Sequence, residues 1–289
     1  MDRKLNLILG AVIAMLAGPA MTAHADPLAE QGRDIFKKNQ RAVVTVQVVQ
    51  KSSYSVPGRS SSPTETKQDL TGTVVDPSGL TVLALSACDP VEMYKHMMAE
   101  EYSKYKVDSE VSDIKILLDD GTEIPSEIVL RDKDLDLAFI RPKAKPASPM
   151  AAVDLSQASP AEMLDQVITL NRLNRAAGRA YAASVERISA VIKKPRTFYI
   201  PDATMSTTTL GSPAFSLNGN VLGMVVMRTV NSAGGSSANY RDSLTSIILP
   251  ASDILKAAKQ APEAKGEDEK KESKEPKETK DSKEGKETK

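Results

Sequence analysis

Aromatic side chains are scarce in this sequence: they make up 4% of 289 residues, and tryptophan is absent. A core, if there is one, must be built from Val, Leu, Ile, Ala and Met. Cysteine is represented once, by Cys88, so no intrachain disulfide can form and packing alone must hold the fold. Histidine occurs twice, as His24 and His96, which leaves few imidazoles for catalysis or metal binding. Net charge is zero, with Lys+Arg and Asp+Glu both at 38, and this argues against a general nucleic-acid binder, which relies on excess positive charge. No cluster has metal-ligand spacing and no Gly-rich loop precedes a helix, so neither a metal nor a cofactor is expected.

The N-terminus reads as a targeting segment. Asp2-Arg3-Lys4 is followed by the apolar run "LNLILGAVIAMLAG", and Ala23-His24-Ala25 fits a small-x-small cleavage pattern. An uncleaved anchor is the other reading, but the run is shorter than the roughly 20 residues that span a bilayer. Residues 1–25 are therefore expected to be a Sec-type signal peptide, with no twin-Arg pattern and no lipoprotein cysteine. The mature chain is expected to begin at Asp26, to be exported to the periplasm or the medium, and to keep no transmembrane segment.

Residues 26–41 contain "PLAEQGRDIFKKNQ", which has amphipathic helical spacing. Short β-branched runs then take over: "AVVTVQVVQ", "LTGTVVD", "LTVLALSA", "DIKILL", "EIPSEIVLR" and "DLAFIRP", with "PSG" and "DDGT" as hairpin turns. Later come "QVITLN", "YAASVERISAVI", "TFYIP", "NVLGMVVMRTV" and "SLTSIILP". Many short strands at regular spacing predict an all-β barrel or sandwich architecture. "KSSYSVPGRSSSPTETK" reads as a long surface loop. "VEMYKHMMAEEYSKY", near residues 91–106, reads as a helical insertion. "ASDILKAAKQA" reads as a C-terminal helix with Ser252 as a plausible N-cap. Residues 263–289 repeat Lys and acidic residues with almost nothing apolar, which predicts a disordered tail.

Three stretches, in order, resemble the HtrA/Deg family of trypsin-like serine proteases over about residues 42–255. "GTVVDPSGLTVLALSAC" is similar to the family's Gly-x-Val-Ile-Asp-x-x-Gly-Tyr-Ile-Leu-Thr-Asn-x-His. Seven residues on from Gly79, the histidine position falls on Ser86, or on Ala87 if the register slips by one. "VLRDKDLDLAFIRP" is similar to Asp-x-x-x-Asp-Leu-Ala-Val-Leu and places the triad aspartate on Asp136. "PDATMSTTTLGSPAFSLNGNVLG" is similar to the family's nucleophile loop. Asp202-Ala203 fixes one end and Asn218-Gly219 with Gly223 the other, so the nucleophile position falls on Leu210. "SIILPASDIL" is similar to the segment that closes the family's protease domain. The resemblance implies a trypsin-like double six-stranded β-barrel over residues 42–262.

The chemistry does not follow the fold. A serine nucleophile needs a base within hydrogen-bond reach and a third group that orients the base. Leu210 has no hydroxyl, Ser86 is no base, and Asp136 is left with nothing to orient. The oxyanion-hole donors would be the N–H groups of Thr208 and Leu210, and Thr208 replaces a family glycine. Ser212 is the alternative nucleophile, at the cost of shortening the following loop. His96 falls opposite the Tyr/Met stripe of its predicted helix and reads as a solvated side chain. Cys88 reads as a small buried residue. Asp136 is either a polar strand-end residue or retains a hydrogen-bonding role near the old cleft. The segment containing Arg172, Arg175, Arg179, Arg187, Lys193, Lys194 and Arg196 reads as a solvated face or a surface for an anionic or peptide partner. The expectation is an exported pseudoprotease that binds a peptide or protein. The alternatives are an active serine endopeptidase with a non-standard constellation, and a structural envelope protein.

Overall fold

Strand β1 (Val43–Val56) alternates side chains that meet two different surroundings. Val44, Val46 and Val48 point into the smaller of two hydrophobic clusters. Thr45 and Gln47, on the opposite face, are also buried. A strand with polar residues on a buried face must lie against another body that supplies hydrogen-bond partners, and the rest of the chain supplies one.

The computed structural model describes residues 26–56, 59–60, 62–89, 106–202, 209–229 and 244–263. The expected signal segment, the helical insertion up to residue 105, Thr208, both histidines and the tail beyond Glu263 lie outside them. The first helix, α1 (Pro27–Asn39), starts where expected. Asp26 caps it by accepting from the Leu28 N–H at 3.0 Å, and Pro27 opens it.

The first barrel contains β1, β3 (Thr64–Val74), β4 (Thr81–Ala84), β5 (Lys106–Leu117), β6 (Glu123–Asp132) and β7 (Leu137–Pro142), with β2 (Arg59–Ser60) paired on the outer part of β1. The strand order is β2-β1-β3-β4-β7-β6-β5, and pairing of β1 with β5 closes it. The second barrel is β10-β13-β12-β11-β8-β9, formed by β8 (Gln166–Arg172), β9 (Tyr181–Ile192), β10 (Phe198–Pro201), β11 (Pro213–Ser216), β12 (Val221–Thr229) and β13 (Leu244–Pro250). The result is the expected pair of closed six-stranded antiparallel barrels.

Strands β4 and β7 form the wall between the two cores. Leu83, Ala138 and Ile140 face the smaller cluster, whereas Val82, Ala84, Leu137 and Phe139 belong to the larger one, which fills the second barrel. Burial on both faces explains why "LTVLAL" and "LAFI" read as continuous apolar runs rather than as alternation.

Polar contacts join the barrels across this wall. The Thr71 hydroxyl lies 3.1 Å from the Arg172 N–H and 3.3 Å from its carbonyl, and the Thr73 hydroxyl donates to the Gly211 carbonyl at 2.8 Å. Arg172 runs from the second barrel to Asp119 of the first at 2.9 Å, donates to the Thr45 hydroxyl at 3.3 Å, and stacks on Tyr181. Arg179 pairs with Asp69 at 2.7 Å. Thr45 and Gln47 thus find partners: Thr45 in Arg172, and Gln47 in Asp69.

Three local expectations are corrected. The Ser/Thr-rich stretch 51–67 is mostly strand, because β1 and β3 pair from Val43↔Thr73 out to Ser52↔Thr64. "LTVLALSA" does not stay extended: β4 ends at Ala84, and a single turn, α2 (Leu85–Cys88), follows, held by the Leu85 N–H on the Asp136 carbonyl. Ser252 does not cap the last helix, α3 (Ala251–Ala258). Pro250 occupies that position without a side-chain bond, and Ser252 lies inside the first turn. Beyond α3, Arg141 holds the Pro262 carbonyl at 2.8 Å and the Glu263 carboxylate at 3.4 Å, so the ordered contacts run to the edge of the expected tail.

Gly211 is the tightest point between the barrels. Its φ is +89°, and a Cβ there would lie 2.2 Å from the Thr71 carbonyl oxygen. Two penalties add: left-handed backbone for an L-residue, and overlap with a backbone atom that is itself fixed in a sheet. Gly211→Ala is expected to lower unfolding free energy by about 3 kcal/mol or more. Urea denaturation followed by circular dichroism checks this, and a loss under about 1 kcal/mol would contradict the close approach.

Candidate functional site

Asp136 ends the β6–β7 turn with φ at +58°, a left-handed conformation that Asp tolerates better than most residues. This turns its carboxylate back between the barrels, where it accepts three hydrogen bonds. The Ser86 N–H donates to Oδ1 at 2.6 Å, the Ser86 hydroxyl to Oδ2 at 2.8 Å, and the Met227 N–H, from the second barrel, to Oδ2 at 2.8 Å. Of the two expected positions for the histidine, it is Ser86 that meets the aspartate. Ala87 is half-buried against both clusters, and its carbonyl accepts from Gln68 at 3.0 Å.

Burial raises the Asp136 carboxyl from its ordinary 3.8 to about 6; desolvation outweighs the bonds from Met227 and Ser86, which favour the ionised form. Between those values the native protein holds a proton that the unfolded chain has released. The stability contributed by this group is full below the unfolded value and is lost as pH rises through about 6.

Ser86 and Asp136 line a cavity of about 330 Å³ between the barrels. Leu85 from α2, Leu135 from the β6–β7 turn, Phe198 from β10 and Met227 from β12 form much of its wall. Arg196 and Arg228 also reach it, and Arg228 stacks on Phe198 with its guanidinium carbon 4.8 Å from the ring centre. Sequence reasoning singled out neither Phe198 nor Arg228. The available signal was an arginine placed just after the apolar run "VLGMVVM", at the strand end that faces the aspartate.

Leu210 and Ser212 do not line this cavity. Leu210 is 4% exposed and packs in the larger cluster. Thr209 to Ser212 form a turn closed by the Ser212 N–H on the Thr209 carbonyl at 3.2 Å, with Gly211 supplying the positive φ. The Gly211 N–H is spent on the Val225 carbonyl at 2.8 Å. Ser212 is fully buried, and its hydroxyl has no hydrogen-bond partner among the described residues. Cys88 is fully buried, and desolvation pushes its thiol up to about 12, so it stays protonated and unreactive.

The basic segment divides by environment, with Arg175 and Arg187 exposed. Arg172 and Arg179 are drawn into the inter-barrel contacts. Lys193, Lys194 and Arg196 are exposed on the β9–β10 turn, and Arg196 reaches the cavity. Glu186, the acid of this segment, is buried and accepts from the Thr169 hydroxyl at 2.7 Å.

Two six-stranded barrels with an aspartate at their junction define a protein of the trypsin fold. The sequence profile of the trypsin-like peptidase domain matches residues 70–224, more than half of the chain, and the chain belongs to that family. No curated protein matches it.

The carboxyl environment can be tested through pH. Between pH 4 and 7.5 the stability advantage of wild type over Asp136→Asn is expected to shrink by up to about 3 kcal/mol, whatever its size at pH 4. Urea titrations of both proteins at several pH values measure this. Parallel pH profiles would mean that Asp136 titrates like an exposed carboxyl.

Proposed function

We propose that this chain is an exported HtrA/Deg-like pseudoprotease that binds an extended peptide or a segment of a partner protein without cleaving it. The observation that carries this reading is the occupation of both reactive positions by groups with other tasks. Ser86 donates its amide and hydroxyl to Asp136, where a base would stand, and Leu210 packs in the core, where a nucleophile would stand. The Ser86 hydroxyl meets Asp136 directly, with no imidazole between them, so the chain of nucleophile, base and orienting acid that a serine peptidase uses is not assembled by this pair.

Binding is supported by the edge of β12. Val225 exchanges hydrogen bonds with Gly211 and Ser212, and the Met227 N–H, on the same side, goes to Asp136. Pairing of β11 with β12 stops at Met224. Past that point no strand lies on this side of β12 among the described residues. Val225 and the Met227 N–H are already paired, so an extended peptide would add to β12 beyond them, at the end carrying Arg228 and Thr229, with the cavity beside it. The targeting segment supports export.

Two experiments test the missing chemistry. The purified mature protein is expected not to react with a fluorophosphonate probe. Native-state labelling mapped to Ser212 or Ser86 would establish a working serine and overturn the pseudoprotease reading. Leu210→Ser alone is expected to remain unlabelled, since the new hydroxyl has no base. Combined with Ser86→His, it is expected to gain weak labelling that neither single variant shows, because triad members act as a unit. Labelling of the Leu210→Ser single variant would show a base other than residue 86.

A further inference from the structure

We propose that the inter-barrel cavity recognises a carboxylate on the bound peptide, held between Arg196 and Arg228; this rests on the peptide-binding reading above and names the chemistry of its ligand. Both guanidiniums line the cavity, and among the described residues neither has a carboxylate within ion-pair distance. They reach it from different elements, Arg196 from the β9–β10 turn and Arg228 from the end of β12. Arg228 lies over the Phe198 ring, a contact that uses the face of the guanidinium, whereas a carboxylate is matched bidentately by its N–H edge.

Two of the three acids of the cavity are already engaged. Asp136 accepts three hydrogen bonds. Asp89 is 9% exposed and accepts from Gln50 and Ser109. Asp134 is the exposed acid, and it lies beside Lys133 in the chain. Lys133, Arg196 and Arg228 stand on the lining against Asp89, Asp134 and Asp136, and what an incoming carboxylate meets is the two arginines without a carboxylate partner among the described residues, with Lys193 and Lys194 exposed on the same turn as Arg196. The walls are partly apolar, with Leu135, Phe198 and Leu249 next to the charges. A carboxylate that enters is shielded from water there, and its pairing is stronger than on an open surface. The fitting ligand is an extended peptide with an acidic residue next to an apolar one, or with its C-terminal carboxylate in that place.

The test uses the full mature chain and two random heptapeptide libraries, one C-terminally amidated and one with free C-termini. Enrichment of Asp or Glu at a fixed position in the amidated library supports the proposal with a side-chain carboxylate. Enrichment of free over amidated C-termini supports it with a chain-end carboxylate. Enriched peptides with neither feature overturn the proposal and leave the peptide-binding reading standing. Absence of any enrichment overturns both. For a selected acidic peptide, the uncharged counterpart, Gln for Glu or amide for carboxylate, is expected to bind at least tenfold more weakly by fluorescence anisotropy. Arg228→Gln and Arg196→Gln are each expected to weaken the acidic peptide several-fold while leaving the uncharged one within twofold. Equal loss for both peptides would mean that the arginines shape the cleft without reading charge, and would overturn the proposal. Arg196 is exposed on a turn, so its variant reports on binding even if Arg228→Gln disturbs β12.

Discussion

Asp136 joins three pieces of chain: α2, the β6–β7 turn and β12. Its backbone carbonyl holds the Leu85 N–H and its side chain holds Ser86, so α2 is fixed to the β6–β7 turn within the first barrel. The bond from Met227 then ties that assembly to β12 of the second barrel. In a trypsin-like peptidase with an intact triad the aspartate at this place orients an imidazole. Here the carboxylate accepts from Ser86, the second residue of α2, and from the Met227 N–H. Both carboxylate oxygens are hydrogen-bonded, which offsets the cost of keeping a desolvated carboxylate in the fold.

The nucleophile loop shows the same separation between what folding needs and what catalysis needs. Gly211 is required by a positive φ and by the Thr71 carbonyl against it, and Gly223 by the Leu249 carbonyl, 1.9 Å from where a Cβ would be. Neither requirement involves a reacting atom. Leu210, just before Gly211, fills space in the core. The glycines are thus fixed by backbone contacts whatever side chain stands beside them. The surviving "LGSP…NGNVLG" pattern reports backbone geometry and says nothing of activity.

This explains what was legible in the sequence. The barrels could be read because strands buried on both faces, such as β4 and β7, leave apolar runs, and because the turns between them carry Gly, Asn and Asp. Ser86 and Asp136 were singled out by spacing from Gly79 and from a strand end, and the fold brings these two side chains together. The outer hairpin of β1 and β3 could not be read, since Ser, Thr and Lys paired far from the core carry no hydrophobic period. The end of β4 was missed because the turn into α2 is dictated by Asp136, fifty residues away in the chain. The sorting of the arginines was equally hidden. Arg172 and Arg196 look alike in one basic stretch, and only the fold sends the first into the inter-barrel contacts and the second to the cleft.

The two sets of arginines also divide the labour of holding the barrels together and leaving a space between them. Arg172 and Arg179 close one side of the junction with Asp119 and Asp69, with the Tyr181 ring under Arg172 excluding water from part of that contact. Had Arg196 and Arg228 been paired in the same way, the opposite side would be closed too. Arg196 and Arg228 have no acidic partners among the described residues and leave unpaired cations on the cavity lining. A cation beside apolar side chains is held from part of its solvent, so an anion that supplied the missing partner would gain more there than on an open surface.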